Sequence, residues 1–287
     1  MESPKIIECP RDAMQGIKTF IPTTAKVNYL QFLLEVGFHS LDFGSFVSHR
    51  AVPQMRDTAK VLDQLDLSDT KTKLLAIVAN LRGAETALCF EQIEYIGFPF
   101  SISENFQMRN THKTISESLH TLEQIKELTD KCNKTLVVYL SMGFGNPYGD
   151  PWSIEVVSKW VERLAQMEVK IISLSDTVGQ AVLKDISYLY STLIPVFPSI
   201  EFGAHFHTHP NKGYDKLTAA FDAGCRRFDG AIHGFGGCPM ASDALIGNMP
   251  TEKLVTFFNE RGIHTGLRMT TFESAMNKSH YLFSSYT

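Results

Sequence analysis

The sequence has no basic excess: 27 Lys and Arg stand against 31 Asp and Glu, a formal charge of −4 with a pI near 6.2. A protein that tracks a phosphate backbone needs the opposite balance, so no nucleic-acid partner is expected. No window approaches the ~18 uncharged apolar residues that cross a bilayer, and no membrane partner is expected either. The opening segment MESPKIIECPRDAMQ lacks a basic stretch leading into an apolar core, which reads as no secretory signal and a cytoplasmic protein. Cysteine is sparse. Cys9, Cys89, Cys132, Cys225 and Cys238 are scattered, odd in number and never spaced as CxxC, against both a disulfide framework and a thiolate zinc site. No Pro/Gly/Ser-rich linker, charge run or repeat divides the 287 residues, so one domain over residues 1–287 is expected, with a short C-terminal helical extension.

What is present is alternation. Short apolar runs at Lys5–Cys9, His39–Phe43, Lys73–Ala79, Gln92–Gly97, Thr135–Ser141, Val169–Leu174, Ile200–Phe206 and Arg227–Ile232 read as eight strands. Between them the apolar period shifts to 3.6. One helix places Val27, Leu30 and Leu34 on a stripe after a cap at Thr24 and closes at Gly37. A second starts at Asp150-Pro151 and aligns Val156, Val157, Trp160, Val161 and Leu164, and a third ends at Gly224. Eight strand–helix alternations point to a parallel sheet closed on itself, a (β/α)₈ TIM barrel of the α/β class. An open doubly wound sheet is the competing architecture, but no GxGxxG follows the first strand.

In such a barrel chemistry gathers at the C-terminal ends of the strands. Polar residues collect there: Cys9-Pro10-Arg11-Asp12 after strand one, Asp42 at the end of strand two, Ser173 to Thr177 after strand six, and His205-Phe206-His207 on strand seven. Residues i and i+2 of a strand face one side, so His205 and His207 can reach one cation, with Asp12 as a hard oxygen ligand. Each piece alone has a plainer reading, as hydrogen-bonding histidines, a surface ion pair at Arg11-Asp12, or a buried inert thiol at Cys238.

Taken in order, the pieces resemble the hydroxymethylglutaryl-CoA lyase family of metal-dependent (β/α)₈ enzymes. The stretches that carry the resemblance are Pro10-Arg11-Asp12-Ala13-Met14-Gln15, Ser45-Phe46-Val47-Ser48, Val52-Pro53-Gln54-Met55, Ser175-Asp176-Thr177-Val178-Gly179, the HxH at His205, Gly236-Gly237-Cys238-Pro239, Gly247-Asn248 and Gly262-Ile263-His264-Thr265-Gly266. It implies a divalent cation, Mg²⁺ or Mn²⁺, held by Asp12, His205, His207 and Asn248. It also implies an acyl-CoA substrate, with 3-hydroxy-3-methylglutaryl-CoA cleaved to acetoacetate and acetyl-CoA in leucine and ketone-body metabolism, and a homodimer or larger homo-oligomer. Arg11, His205, Cys238, Asp42 and Asp176 are placed by it among the catalytic residues, and Gln15, His233, Gly236 and Gly237 at the substrate. The Gly236-Gly237 pair would act as a hinge that lets Cys238 close over the site.

Four departures mark this chain. Asp42 stands where the family usually has Glu, and Thr208 follows His207 where the family has Asp, removing a carboxylate that would orient an imidazole. His233 stands where the family has a small residue, adding an imidazole near the expected site, and no cysteine follows Cys238. Other readings of the same residues are a Claisen-condensing synthase, a related metal-dependent lyase or aldol enzyme acting on another 3-hydroxyacyl-CoA or 2-oxo acid, and a family member without catalysis. A zinc amidohydrolase carries its HxH on the first strand rather than near residue 205, and a Cys238 nucleophile dyad fits poorly with a Gly-Gly-Cys-Pro loop.

Overall fold

The computed structural model describes residues 3–209, 211–237 and 246–286. Eight strands run β1 (Lys5–Glu8), β2 (Ser40–Ser45), β3 (Lys73–Ile77), β4 (Ile93–Ser101), β5 (Thr135–Ser141), β6 (Ile171–Asp176), β7 (Glu201–Thr208) and β8 (Arg227–Gly230). Each pairs in parallel with its neighbours in chain order, and β8 returns to β1 while β6 pairs with β7, so the sheet closes. This is the expected (β/α)₈ barrel. A ninth strand, β9 (Gly247–Asn248), was not anticipated, and lies antiparallel on the end of β7.

The helices follow as α1 (Pro10–Gln15), α2 (Thr23–Val36), α3 (Thr58–Leu62), α4 (Leu81–Leu88), α5 (Glu104–Thr111), α6 (Ile115–Lys131), α7 (Ile154–Gln166), α8 (Leu183–Val196), α9 (Tyr214–Asp222), α10 (Thr251–Glu260) and α11 (Met269–Tyr286). Several starts are set by side-chain oxygens that accept from orphan N–H groups, among them Asn80 from Gly83, Ser103 from Phe106, and Thr114 in a reciprocal capping box with Glu117. Two expected starts are displaced. Ser153, not Asp150, caps α7, because the Asp150 carboxylate is engaged by the Ser103 hydroxyl and the Asn105 backbone N–H. Helix α2 begins one residue before the expected cap Thr24, with no side-chain cap, and ends as expected at Gly37 in the left-handed region. Strands four, six and seven extend two to four residues beyond their apolar runs, to Ser101, Asp176 and Thr208, because the sheet continues into the polar residues of the mouth.

The main core lies between sheet and helices, with α11 closing it over α2 through Tyr29–Phe283 and Phe38–Phe272 edge contacts. The barrel interior is divided. Leu75, Ile77, Tyr95, Val137, Tyr139 and Ile171 form a small apolar cluster on the β3 to β6 side. The opposite side carries Glu201, His205, Arg227 and Asp229 on β7 and β8, together with Asp42 on β2. A register shift between Asp42 and Gly44 bends β2 where it reaches the mouth, a usual device for re-aiming a side chain beside a site.

Candidate active site

Strand β1 runs directly into α1, whose first helical residue is Pro10, so Arg11 and Asp12 are held at the barrel mouth by a rigid turn. The Arg11 guanidinium is fixed on three sides. Its Nε and Nη2 donate to both oxygens of Asp42 at 2.5–3.2 Å, and Nη1 donates to Asp12 Oδ1 at 2.9 Å and to Gln15 Oε1 at 2.8 Å. Gln15 closes the loop by donating to Asp12 Oδ1 at 2.6 Å. Burial opposes the charge on Arg11, but Asp42 and Asp12 outweigh it and hold the guanidinium protonated. Burial lifts the Asp42 carboxyl to about 6, with Arg11 pulling the other way. Asp12 is buried too, yet Arg11 and the two histidines keep it below the ordinary carboxylate range. The shortened carboxylate at position 42 therefore still reaches Arg11.

His205 and His207 point the same way from β7, with their Nε2 atoms 3.2 Å apart and Asp12 Oδ2 4.0 Å from His207 Nε2. Their Nδ1 atoms face outward. His207 Nδ1 is 2.8 Å from the Thr177 carbonyl, which only accepts, so the proton sits on Nδ1. His205 Nδ1 is 3.1 Å from Asp229 Oδ2. Burial pushes His207 down to about 4, leaving it neutral with a bare Nε2, while Asp229 overcomes burial and favours the charged form of His205. Two imidazole lone pairs at this separation need a proton or a cation between them. Ligands at ~2.1 Å and right angles on one octahedral cation would be about 3 Å apart, so the pair fits a metal with Asp12 as third donor. The ligand atoms of Asp12, His205 and His207 all lie within 4.8 Å of one another.

Asn248 reaches the same place through tertiary pairing. Its position in β9 lies opposite His207, and its Nδ2 donates to Asp12 Oδ2 at 2.7 Å and to the Phe235 carbonyl at 2.8 Å. Gly236 passes so close over α1 that a Cβ would come 2.5 Å from the Asp12 carbonyl, and its φ of +85° is one that L residues rarely adopt. Gly237 lines the cleft. Cys238 lies outside the described residues.

The cleft above these groups encloses about 220 Å³. Its floor is Arg11, Asp12, His205 and His207, and its walls include Val47, Ile77, Phe106 and Tyr139, an apolar lining around a few convergent charges.

Three expectations are changed by the geometry. His233 does not join the site: its ring meets Phe235 and His280, and Nε2 lies 3.0 Å from the Met276 carbonyl, because the turn after β8 swings it outward onto α11. Asp176 is not part of the cleft lining, since its carboxylate pairs with the buried Lys216, whose Nζ also donates to the Gly179 and His207 carbonyls. The carboxylate missing at Thr208 is supplied by Asp229 from the neighbouring strand. Asp229 and Lys216 were not singled out in the sequence; ionisable residues at buried positions of a strand and a helix were the available signal.

Comparison with known proteins agrees with this arrangement. The HMGL-like family model matches residues 4–278. The hydroxymethylglutaryl-CoA lyase YngG of Bacillus subtilis is 33% identical over 266 residues, covering 93% of this chain and 88% of that protein. The (R)-citramalyl-CoA lyase of Chloroflexus aurantiacus is 30% identical over 285 residues, covering 96% and 89%. Among solved structures, an HMG-CoA lyase of Acinetobacter baumannii in complex with coenzyme A and 3-methylmalate superimposes with a TM-score of 0.91 at 27% identity, covering 98% of this chain and 92% of that one. With the family matched over nearly its whole length and the histidine–aspartate cluster assembled at the mouth of a closed barrel, this chain belongs to the HMGL-like family and is an HMG-CoA lyase-like carbon–carbon lyase.

Proposed function

We propose that the protein cleaves 3-hydroxy-3-methylglutaryl-CoA to acetoacetate and acetyl-CoA, using Mg²⁺ or Mn²⁺. The observation that carries this reading is the convergence of the His205 and His207 Nε2 atoms and the Asp12 carboxylate beside a guanidinium fixed by Asp42. Asp12, His205, His207 and Asn248 would hold the cation, and when bound it supplies Lewis acidity toward the hydroxyl and carbonyl oxygens of the substrate.

The reaction removes the proton of a tertiary alcohol and breaks the adjacent carbon–carbon bond. The alcohol carbon becomes the ketone of acetoacetate, and the bond's electron pair becomes the enolate of the acetyl thioester, which then takes a proton on carbon. Arg11 would meet the charge that develops on the enolate oxygen. Of its five N–H groups four are engaged by Asp42, Asp12 and Gln15, leaving one on Nη2 among the described residues. The tight hold on the other four means that this donor needs no rearrangement when charge appears. The family resemblance puts His205, whose Nδ1 is anchored by Asp229, and Cys238 close to these two proton transfers, without dividing the transfers between them. Val47, Ile77 and Phe106 keep the cleft walls apolar and strengthen these interactions by excluding water.

A second substrate is favoured by one observation, the 30% identity to a citramalyl-CoA lyase. The same bond chemistry on citramalyl-CoA releases pyruvate with acetyl-CoA. The deciding experiment treats purified protein with EDTA, restores Mg²⁺ or Mn²⁺, and follows acetoacetate and pyruvate release from the two thioesters. Metal-dependent acetoacetate release supports the proposal; pyruvate alone moves the substrate to citramalyl-CoA. Neither product, from folded protein that binds Mn²⁺, refutes both.

A further inference from the structure

The charged side of the barrel interior is not fully paired by the fold. Strand register sets Tyr139, Ser173, Gly203, Arg227 and Lys5 side by side in one tier, and Ser175, His205 and Asp229 in the tier nearer the mouth. Gly203 makes the lower tier possible. A Cβ there would meet Ser173 Oγ at 3.1 Å and Arg227 Cδ at 3.2 Å, so the Arg227 side chain lies in the space that glycine leaves. Arg227 is 1% exposed, and Nη1 donates to Glu201 Oε1 at 3.3 Å.

The remaining Arg227 atoms, Nε and Nη2, have no hydrogen-bond partner among the described residues, although the guanidinium lies over the Tyr95 ring at 5.6 Å, and Asp229 Oδ1, the Tyr139 hydroxyl and the Ser173 hydroxyl likewise have none. Orphaned buried donors of a guanidinium are costly, and buried donors and acceptors left without a protein partner are commonly satisfied by ordered water. Arg227 and Asp229 are two residues apart on the same face of β8 but form no direct ion pair. Burial opposes the charge on Arg227, and of the groups that favour it the Asp229 carboxylate is the largest.

We infer that Arg227 is a positioning residue for the metal-binding histidine: through interior water it orients the Asp229 carboxylate, which fixes the proton of His205 on Nδ1 and leaves Nε2 facing Asp12. Tyr139 and Ser173 are further anchors of that water. The consequence for metal affinity rests on the metal reading above; the consequence for the histidine tautomer does not.

The test uses full-length Arg227→Met, Arg227→Lys, Asp229→Asn and the Arg227→Met/Asp229→Asn double variant. Nitrogen-15 imidazole spectra of metal-free protein at pH 8 report the His205 tautomer, and Mn²⁺ titration followed by electron paramagnetic resonance reports affinity. Wild-type His205 is expected to carry a proton on Nδ1, with a further proton shared between its Nε2 and that of His207 in the metal-free protein. Asp229→Asn should mix the tautomers and weaken Mn²⁺ binding by roughly 10-fold or more, as loss of a ligand's orienting partner does. Arg227→Met should do the same to a smaller degree, several-fold, and the double variant should be no worse than Asp229→Asn. Arg227→Lys, which keeps the charge but not the fork, should fall between wild type and Arg227→Met, and serves if the latter does not fold. Unchanged tautomer and Mn²⁺ affinity in a folded Arg227 variant would overturn the inference, as would fully additive losses in the double variant. Tautomer changes as expected in a wild-type background that binds no Mn²⁺ would support it while refuting the metal reading.

Discussion

Glu8 offers a test in which the magnitude follows from position. It is the last residue of β1, fully buried, with Oε1 accepting the Ile232 backbone N–H at 2.9 Å and Oε2 accepting the Thr251 hydroxyl. These bonds tie the first strand to the segment that follows the eighth. Burial raises the carboxyl from 4.5 to about 8, against the two hydrogen bonds. Between those values the folded chain holds a proton that the unfolded chain has released. The unfolded state thus binds fewer protons, so stability must fall as pH rises across this window and level off above pH ~8. Single-site linkage with these end points gives a loss of about 2–3 kcal/mol between pH 5 and pH 7. Glu8→Gln keeps the shape, can accept from Ile232 and donate to the Thr251 oxygen, and has no proton to lose. Denaturant unfolding of both proteins at pH 5, 6 and 7 should show the wild type losing about 2–3 kcal/mol relative to the variant, or ~5 °C in Tm for a domain of this size. A difference that stays constant within about 0.5 kcal/mol across the series would show that Glu8 is ionised in the fold and would refute the argument.

Further outcomes are expected at the site. Asp12→Ala should lose both turnover and Mn²⁺ binding while the fold persists; retained activity would exclude the metal assignment. Arg11→Met should lower kcat by about 10²–10³, the usual effect of removing an oxyanion donor, with Mn²⁺ still bound, and an unchanged kcat would remove Arg11 from the chemistry. Lys216→Met leaves Asp176 buried without its counter-charge and should destabilise by about 3–5 kcal/mol, with much of that restored when Asp176→Asn is added; thermal unfolding of the wild type and the two variants checks this. Gly236→Ala forces a Cβ against the Asp12 carbonyl at a positive φ, and should impair turnover more than thermal stability.

Local pattern carried much of the architecture because both periodicities are short-range. A strand such as Thr135–Ser141 declares itself by an apolar run, and a helix such as Thr23–Val36 by its stripe and the glycine that ends it. Boundaries slipped where tertiary contacts override the pattern. Asp150 reads as a helix start but is held by Ser103 in the loop that follows the neighbouring strand β4, and β6 continues to Asp176 because β7 pairs with it there.

The site divides along the same line. Arg11-Asp12 and the His205/His207 pair could be read directly, since adjacent residues on a turn and alternate residues on a strand share a face whatever surrounds them. His233 could not, because the turn after β8, where its own φ is +63°, sends its ring to Met276 rather than to the cleft. Asp229, Arg227 and Lys216 stayed hidden for a different reason. Their direct partners, His205 for Asp229, Glu201 for Arg227 and Asp176 for Lys216, lie 20 or more residues away on other strands, and only the assembled barrel brings them together. The sequence by itself determined the fold class and the pair of ligand-bearing segments, through periodicity and local geometry; which charges orient the ligands, and which face inward unpaired, was decided by the tertiary structure, because long-range register is a property of the closed sheet and not of any segment in it.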